Sequence, residues 1–276
     1  MFKGFPKHAF PKRGYPTGKI GNVGVVSDND ANNFCITAGI TDLVEREAIY
    51  FLVTELKKAG LWNRMIAIYP MRGGTADSCS YNLRATTKFK ITWVNAPTFS
   101  YNGVVGNGTN QYGNLGLNAS TQLTVSDLSI SFYSRTIGVT GSRCGLGVQS
   151  GGHDYSVFAQ GAAGFARIGG AGGVPQAPFT GASSSAGLFM SNRSALNNLK
   201  AFYNGDLKST STSTIAVATV NQVMFVLARN FNAGIPDSYT TQQCAFAHVG
   251  GSMNDAEAAQ FYSIVQEYQT ILGIEV

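Results

Sequence analysis

Cleaving a glycosidic bond takes two carboxyl groups about 5 to 9.5 Å apart across the scissile bond, usually presented by strands. The glutamates of this 276-residue chain are Glu45, Glu47, Glu55, Glu257, Glu267 and Glu275. All fall in two predicted helices or at the tail, where none can line a concave sheet. Asp127, Asp154, Asp206 and Asp237 stand singly at turn-like positions, where aspartate serves local backbone hydrogen bonds. Nucleophilic catalysis needs a histidine within reach of a hydroxyl or thiol, and the histidines are His8, His153 and His248. His8 lies among basic N-terminal residues, His153 follows Gly151-Gly152 in a loop, and His248 reads as a half-buried polar residue at a strand end. Cys35, Cys79, Cys144 and Cys244 are scattered without CxxC or Cys/His spacing, which predicts buried free thiols rather than a zinc site or disulfide framework. Calcium would look to the loop residues Asp154 and Asp237, yet neither belongs to an Asp-x-Asp run. The glycines of 169–173 lack the Lys-Ser/Thr that a phosphate cradle needs. The expectation is no enzyme, no metal site and no cofactor.

The chemistry that remains is binding. Tyr101, Asn102, Asn110 and Tyr112, with Asn114 beside them, lie in a Gly-rich polar stretch suited to sugars through ring stacking and amide hydrogen bonds; hairpin turns share that composition. Trp62 and Trp93 read as core residues. At the N-terminus, Phe2, Lys3, Phe5, Lys7, Phe10, Lys12, Arg13 and Tyr15 interleave aromatic and basic groups, and with Lys19 all the basic ones precede the first acid, Asp28. The chain carries a formal net charge of +5, so without this arm the remainder is nearly neutral. The arm could meet nucleic-acid phosphates. Docking into a neighbouring subunit and ordering on contact is the preferred reading.

These residues must be positioned by a mainly-β chain. Hydrophobic residues make up 44% and charged residues 13%, with 33 Gly, 17 Phe and 12 Tyr, a composition of short strands and tight turns. Residues 1–38, with three prolines and the turn-prone Ser27-Asp28-Asn29-Asp30, predict an extended arm without helix, leaving 39–276 as one domain. A helix is predicted from residue 41 or 42 to 59, with Asp42 and Glu45 as a capping box, Val44, Ala48, Leu52, Leu56 and Ala59 as its apolar stripe, and Gly60 as its stop. A second is predicted at the end, capped by Asn254 and Glu257, with Ala258, Phe261, Val265, Tyr268 and Leu272 as its stripe. Between them the period changes to two. Residues 128–132 alternate apolar and hydroxyl side chains as a half-buried strand does. Further strands are expected at 89–94, 155–160, 187–191, 199–203, 223–229 and 244–249, and Asn204-Gly205 predicts a type I′ hairpin. Residues 161–187 read as mobile loops around a short strand at 165–168. Neither a signal peptide nor an apolar run long enough to span a membrane is evident.

This order of elements, with the motifs at 128–135, at Phe202-Tyr203-Asn204-Gly205 and at Phe246-Ala247-His248-Val249-Gly250-Gly251, resembles the concanavalin A-like, laminin-G-like jelly roll. The resemblance implies an antiparallel β-sandwich with one helix before it and one after. A narrower likeness rests on Ala59-Gly60-Leu61-Trp62, Met65-Ile66-Ala67-Ile68-Tyr69-Pro70, Gly73-Gly74-Thr75-Ala76, Tyr81-Asn82-Leu83 and Asn107-Gly108-Thr109-Asn110. In these the chain is similar to a group of proteins encoded by bacterial viruses and prophages. That likeness implies a virion surface component assembled in the host cytoplasm: a head fibre, decoration, spike or tail-tip protein. Other virion proteins would be its partners, and a homo-oligomer, for example a trimer, is expected. Two other functions stay open: a glycan-binding host-attachment protein and, against the glutamate positions, a polysaccharide-cleaving enzyme.

Overall fold

Two sheets and a helical layer organise the chain, and the alternation of side chains along each strand decides which face meets which layer. The computed structural model describes residues 28–139, 141, 143–169, 176–215, 220–232 and 234–276. Its helices are α1 (Asn29–Thr37), α2 (Leu43–Lys58), the single turn α3 (Ala119–Gln122) and α4 (Asp255–Ile271). One sheet contains β1 (Met65–Tyr69), β3 (Thr98–Ser100), β4 (Gly103–Val105), β6 (Leu128–Ser134), β11 (Gly187–Ala195), β12 (Asn198–Tyr203), β13 (Asp206–Ser211) and β17 (Gln243–Gly250). Its order is β13-β12-β11-β6-β17-β4-β3, with β1 also on β17. The other contains β2 (Thr92–Val94), β5 (Tyr112–Asn118), β7 (Leu146–Ser150), β8 (His153–Phe158), β9 (Phe165–Gly169), β10 (Gln176–Pro178), β14 (Val223–Val226), β15 (Arg229–Phe231) and β16 (Ile235–Asp237). It runs β10-β9-β8-β7-β14-β5-β2. Pairing is antiparallel except for β15 on β7. The protein is therefore the mainly-β, antiparallel sandwich that the sequence predicts.

The central strand β6 shows how the layers form. Leu128, Ile130 and Phe132 enter the core between the sheets, with Val148, Val157, Phe189 and Val226 from other strands. Tyr133 points the other way, into a second core built with α1, α2 and α4. All seven residues of β6 are buried, so the half-buried strand expected at 128–132 is covered on both faces. Its polar face is tolerable because Ser129 and Ser131 are hydrogen-bonded beneath α4.

The described part of the predicted arm is helical rather than extended. Asp28 does not open a turn: its Oδ1 accepts from the amides of Asp30 and Ala31 at 2.9 and 3.2 Å and caps α1. Lys57 of α2 clamps Asp28 and Asp30 at 2.7 and 2.6 Å, and Ala31, Phe34 and Cys35 are buried in the helical core. Residues 1–27, with every proposed anchoring residue from Phe2 to Tyr15, lie outside the described residues.

In α2, Asp42 caps the amides of Val44 and Glu45 at 3.0 Å, but Glu45 does not reciprocate. Val44, placed in the predicted stripe, is exposed, while Ile49 and Val53 join Ala48, Leu52 and Leu56 inside. The capping box of Asn254 and Glu257 is complete in α4. Asn204 and Gly205 have φ of 50° and 77°, the type I′ geometry predicted for the β12–β13 turn. Within 161–187, Ala177, Phe179 and Ala182 are buried in the sandwich core, so this described part is packed rather than loose.

Candidate functional site

Where the helical layer meets the β3–β4 hairpin, a pocket of about 320 Å³ opens between Asp42, Val44, Glu45, Arg72, Tyr101, Asn102, Leu272 and Ile274. Four separate segments build it, each fixed by local structure.

Tyr101 and Asn102 form the two-residue turn between β3 and β4. Ser100 holds the turn, its Oγ donating to the Gly103 carbonyl at 3.1 Å and accepting from the Asn102 amide at 3.2 Å. Gly103 has φ of 121°, and a Cβ there would stand 2.1 Å from the Cys244 carbonyl oxygen. Only glycine lets the hairpin press this closely on β17. The turn is thereby rigid, and Tyr101 is presented at its tip with 66% of its surface exposed.

Arg72 follows β1 through Met71, whose φ of 55° bends the chain sharply. The side chain is only 1% exposed. Nε donates to the Pro70 carbonyl at 3.1 Å and Nη1 to the Tyr101 carbonyl, while the Tyr268 ring lies 6.0 Å from the guanidinium carbon. Nη2 has no partner among the described residues. That nitrogen is itself shielded from solvent, and a buried donor left unmet costs about 1–3 kcal/mol. Glu45, buried on the first turn of α2, accepts from the Gly73 amide at 3.2 Å. Burial pushes its pKa up and the Asp42 charge adds to this, against the Gly73 hydrogen bond and the Arg72 charge. The carboxylate of Asp42 is committed to its helix cap. The pocket thus offers an aromatic ring, a carboxamide and a carboxylate acceptor, groups that can recognise polyhydroxylated molecules.

The residues proposed for sugar binding do not converge. Asn110 lies in the loop after β4, and Tyr112 is the first residue of β5 in the other sheet. Asn110 belongs to a turn in which Asn107 Oδ1 accepts from the amides of Thr109, Asn110 and Gln111. Tyr112 packs on Phe225 and Tyr239, with ring centroids 4.5 and 6.2 Å away. Trp62 is buried, and Trp93 packs against the sandwich core. Sequence reasoning missed Arg72 and assigned Glu45 to capping. The available signal was an arginine and a Gly-Gly pair directly after an apolar strand.

The candidate calcium residues are differently placed from the loop expectation. Asp154 sits in β8, fully buried, and takes Arg229 Nη1 at 2.8 Å, Arg167 Nη1 at 3.1 Å and Ser156 Oγ at 2.5 Å. Asp237 takes Arg229 Nε and Nη2 at 2.9 and 2.5 Å. Guanidinium groups therefore occupy the oxygen atoms that a cation would need. Among the described residues, no group of three or more His, Cys, Asp or Glu is arranged to hold a metal.

His248 is completely buried in β17 rather than half-buried. Ser129 gives its hydroxyl hydrogen to the Gly251 carbonyl at 2.7 Å, so at 3.0 Å its Oγ accepts from His248 Nε2–H. Ser131 then donates to Nδ1 at 2.5 Å. Phe261 of α4 covers the ring at 4.6 Å, and burial pulls the imidazole pKa down to about 3. The resulting Ser–His contacts are sealed from solvent. The four cysteines are free and buried, and Glu45, Glu47, Glu55, Glu257 and Glu267 all lie on α2 or α4.

No known protein family matches the sequence, and no curated protein matches it. Solved structures similar to it include the binding domain of Paraclostridial Mosquitocidal Protein 1, at 10% identity over 73% of this chain and 52% of that one, TM-score 0.48. A mutant of Trypanosoma rangeli sialidase displaying trans-sialidase activity matches at 12% identity over 83% and 38%, TM-score 0.48. The binding domain of botulinum neurotoxin serotype D matches at 9% identity over 74% and 52%, TM-score 0.43. The chain spans about half the length of these solved chains, or less.

Proposed function

We propose that the chain is a non-enzymatic surface component of a bacterial virus particle whose sandwich recognises a glycan in the pocket beneath Tyr101. The observation that carries the binding reading is Tyr101 itself: a residue 66% exposed, held on a tight two-residue turn beside a pocket that Asn102 and Glu45 also line. A sugar would stack on that ring while its hydroxyls meet Asn102 and Glu45. The likeness of residues 59–83 and 107–110 to proteins of bacterial viruses supports the particle assignment. The commitment of the Asp42 carboxylate to its helix cap, and of Asp154 to two arginines, supports a binding role over catalysis.

Tyr101→Ala tests the binding part. Saturable binding of the purified protein to host-surface polysaccharide is expected to weaken about tenfold, since an aromatic contact contributes about 0.5–1.5 kcal/mol beyond its burial, with the circular dichroism spectrum unchanged. Undiminished binding by this variant would remove the pocket from the proposal. Mass spectrometry of purified particles tests the other part, and absence of the chain from them would overturn the virion assignment.

A further inference from the structure

Helices α2 and α4 pack against each other and leave a groove of about 440 Å³ lined by Val44, Glu47, Glu267, Thr270 and Ile271. Helical spacing explains the lining: Val44 and Glu47 are three residues apart, and Thr270 and Ile271 follow Glu267 by three and four, so each set shares one face. Val44, Glu47, Glu267 and Thr270 are all exposed, and Leu43 keeps 80% of its surface in water. Exposed apolar surface rimmed by charge marks a contact site. Among the described residues neither Glu47 nor Glu267 has an ion pair, and no lysine or arginine lines the groove. Arg46 turns instead to Asn32 and the Ile40 carbonyl, Arg72 is buried on the Pro70 and Tyr101 carbonyls, and Arg135 is held by the Ile274 carbonyl and Gln243. Lys57 and Lys58 stand at the far end of α2 with carboxylates of their own. The groove is thus apolar in its floor and acidic at both rims.

The complementary chemistry lies in the same chain. Residues 1–27 hold Lys3, Lys7, Lys12, Arg13 and Lys19 and no acid. Lys7, Phe10 and Arg13 recur at intervals of three, an aromatic ring with a cation on either side. Reach permits the match. Asp28 is fixed at the Lys57 end of α2, and the run of helix from Lys57 back to Val44 measures about 20 Å. From Asp28 back to Arg13 an extended chain covers roughly 50 Å. A tether that spans the gap makes docking intramolecular, at an effective concentration of about millimolar, whereas docking on another copy depends on how much of it is present. We infer that Phe10 seats between Val44 and Ile271 of its own helical layer, rather than on a neighbour's, with Lys7 and Arg13 meeting Glu47 and Glu267. This docking is independent of whether the pocket beside Tyr101 holds a sugar.

Carbodiimide, which joins a lysine amine to a neighbouring carboxylate as an amide with loss of water, tests this on the full chain, mixed in equal parts from unlabelled and isotope-labelled protein. Mass spectrometry of the digest is expected to show Lys7 linked to Glu47 or Glu267, in pairs of a single label. Links confined to other carboxylates would overturn the docking, and pairs of mixed label would overturn its intramolecular form. The rate of trypsin cleavage after Lys7 and Arg13 gives a second reading, because cleavage follows the undocked fraction. Phe10→Ala should speed it about tenfold through the lost burial of the ring, and Glu47→Gln with Glu267→Gln about fivefold through two lost surface ion pairs. All three substitutions fall outside the cores, and an unchanged melting temperature checks that the fold is kept. Equal cleavage rates in wild type and both variants would overturn the inference, and a response to Phe10→Ala alone would remove the two glutamates from it.

Discussion

The residue that most constrains the conditions under which the protein stands is His248. Its ring is enclosed by Ser129, Ser131 and Phe261, two hydroxyls and an aromatic ring that offer no counter-charge to an imidazolium. The folded-state pKa, pulled down to about 3 from a usual value near 6.5, means that the unfolded chain binds the proton first. This term is fully present above pH 6.5 and is lost progressively as pH falls toward 3, a loss on the order of a few kcal/mol. Urea midpoints measured from pH 7 to pH 3.5 should fall for wild type more steeply than for His248→Asn, which lacks the titrating ring. Parallel curves would show that the buried imidazole is not the acid-sensitive group. Position 248 also marks the limit of sequence reading at this scale. A lone histidine beside a strand end gave no sign that two serines on a neighbouring strand would bind both nitrogens. Likewise Asp154 looked like a turn residue because Arg167 and Arg229, 13 and 75 residues away, reach it only across strands.

Among the elements, those defined by contiguous signals were legible. The type I′ turn at Asn204-Gly205 and the capping box at Asn254 and Glu257 follow from local chemistry alone, and both are present. Helix α1 was not legible: nine residues with Ala31, Phe34 and Cys35 as the buried contacts give barely two turns of pattern, and prolines upstream suggested extension. Its stability comes from tertiary packing, as for most short helices. Phe34→Ala should therefore cost about 3–5 kcal/mol, the usual toll for emptying a buried aromatic site, and guanidinium unfolding would measure it. A change under about 1 kcal/mol, well short of that range, would mean that α1 is not part of the folded unit and that the domain begins nearer residue 39, as the sequence suggested.

At the scale of the whole molecule, strands were readable from period-two segments and the sandwich from the resemblance to a jelly roll, but the packing of the helices as a third layer was not. Burial on both faces of β6 shows why: Ser129 and Ser131 wear the polarity of a solvent face while facing α4. The pocket shares that opacity. Its walls come from residues 42–45, 72, 101–102 and 272–274, and only the 101–102 pair was visible as a local composition. The last segment is tied down by Arg135 Nε donating to the Ile274 carbonyl at 2.7 Å and by the Val276 amide donating to the Tyr133 hydroxyl at 3.1 Å. Removing residues 272–276 should leave the far-ultraviolet dichroism of the sandwich intact while weakening glycan binding about tenfold, the loss of two apolar pocket walls. Unaltered affinity in that truncated chain would separate the binding surface from this segment.

A pocket bounded by both a leading helix and residues more than two hundred positions later has a temporal meaning. Synthesis delivers residues 42, 72 and 101 long before residues 272 and 274, so a growing chain carries every polar group of the pocket without its full apolar wall. On the proposed reading, the pocket would be complete for a sugar only once residue 274 has cleared the ribosome.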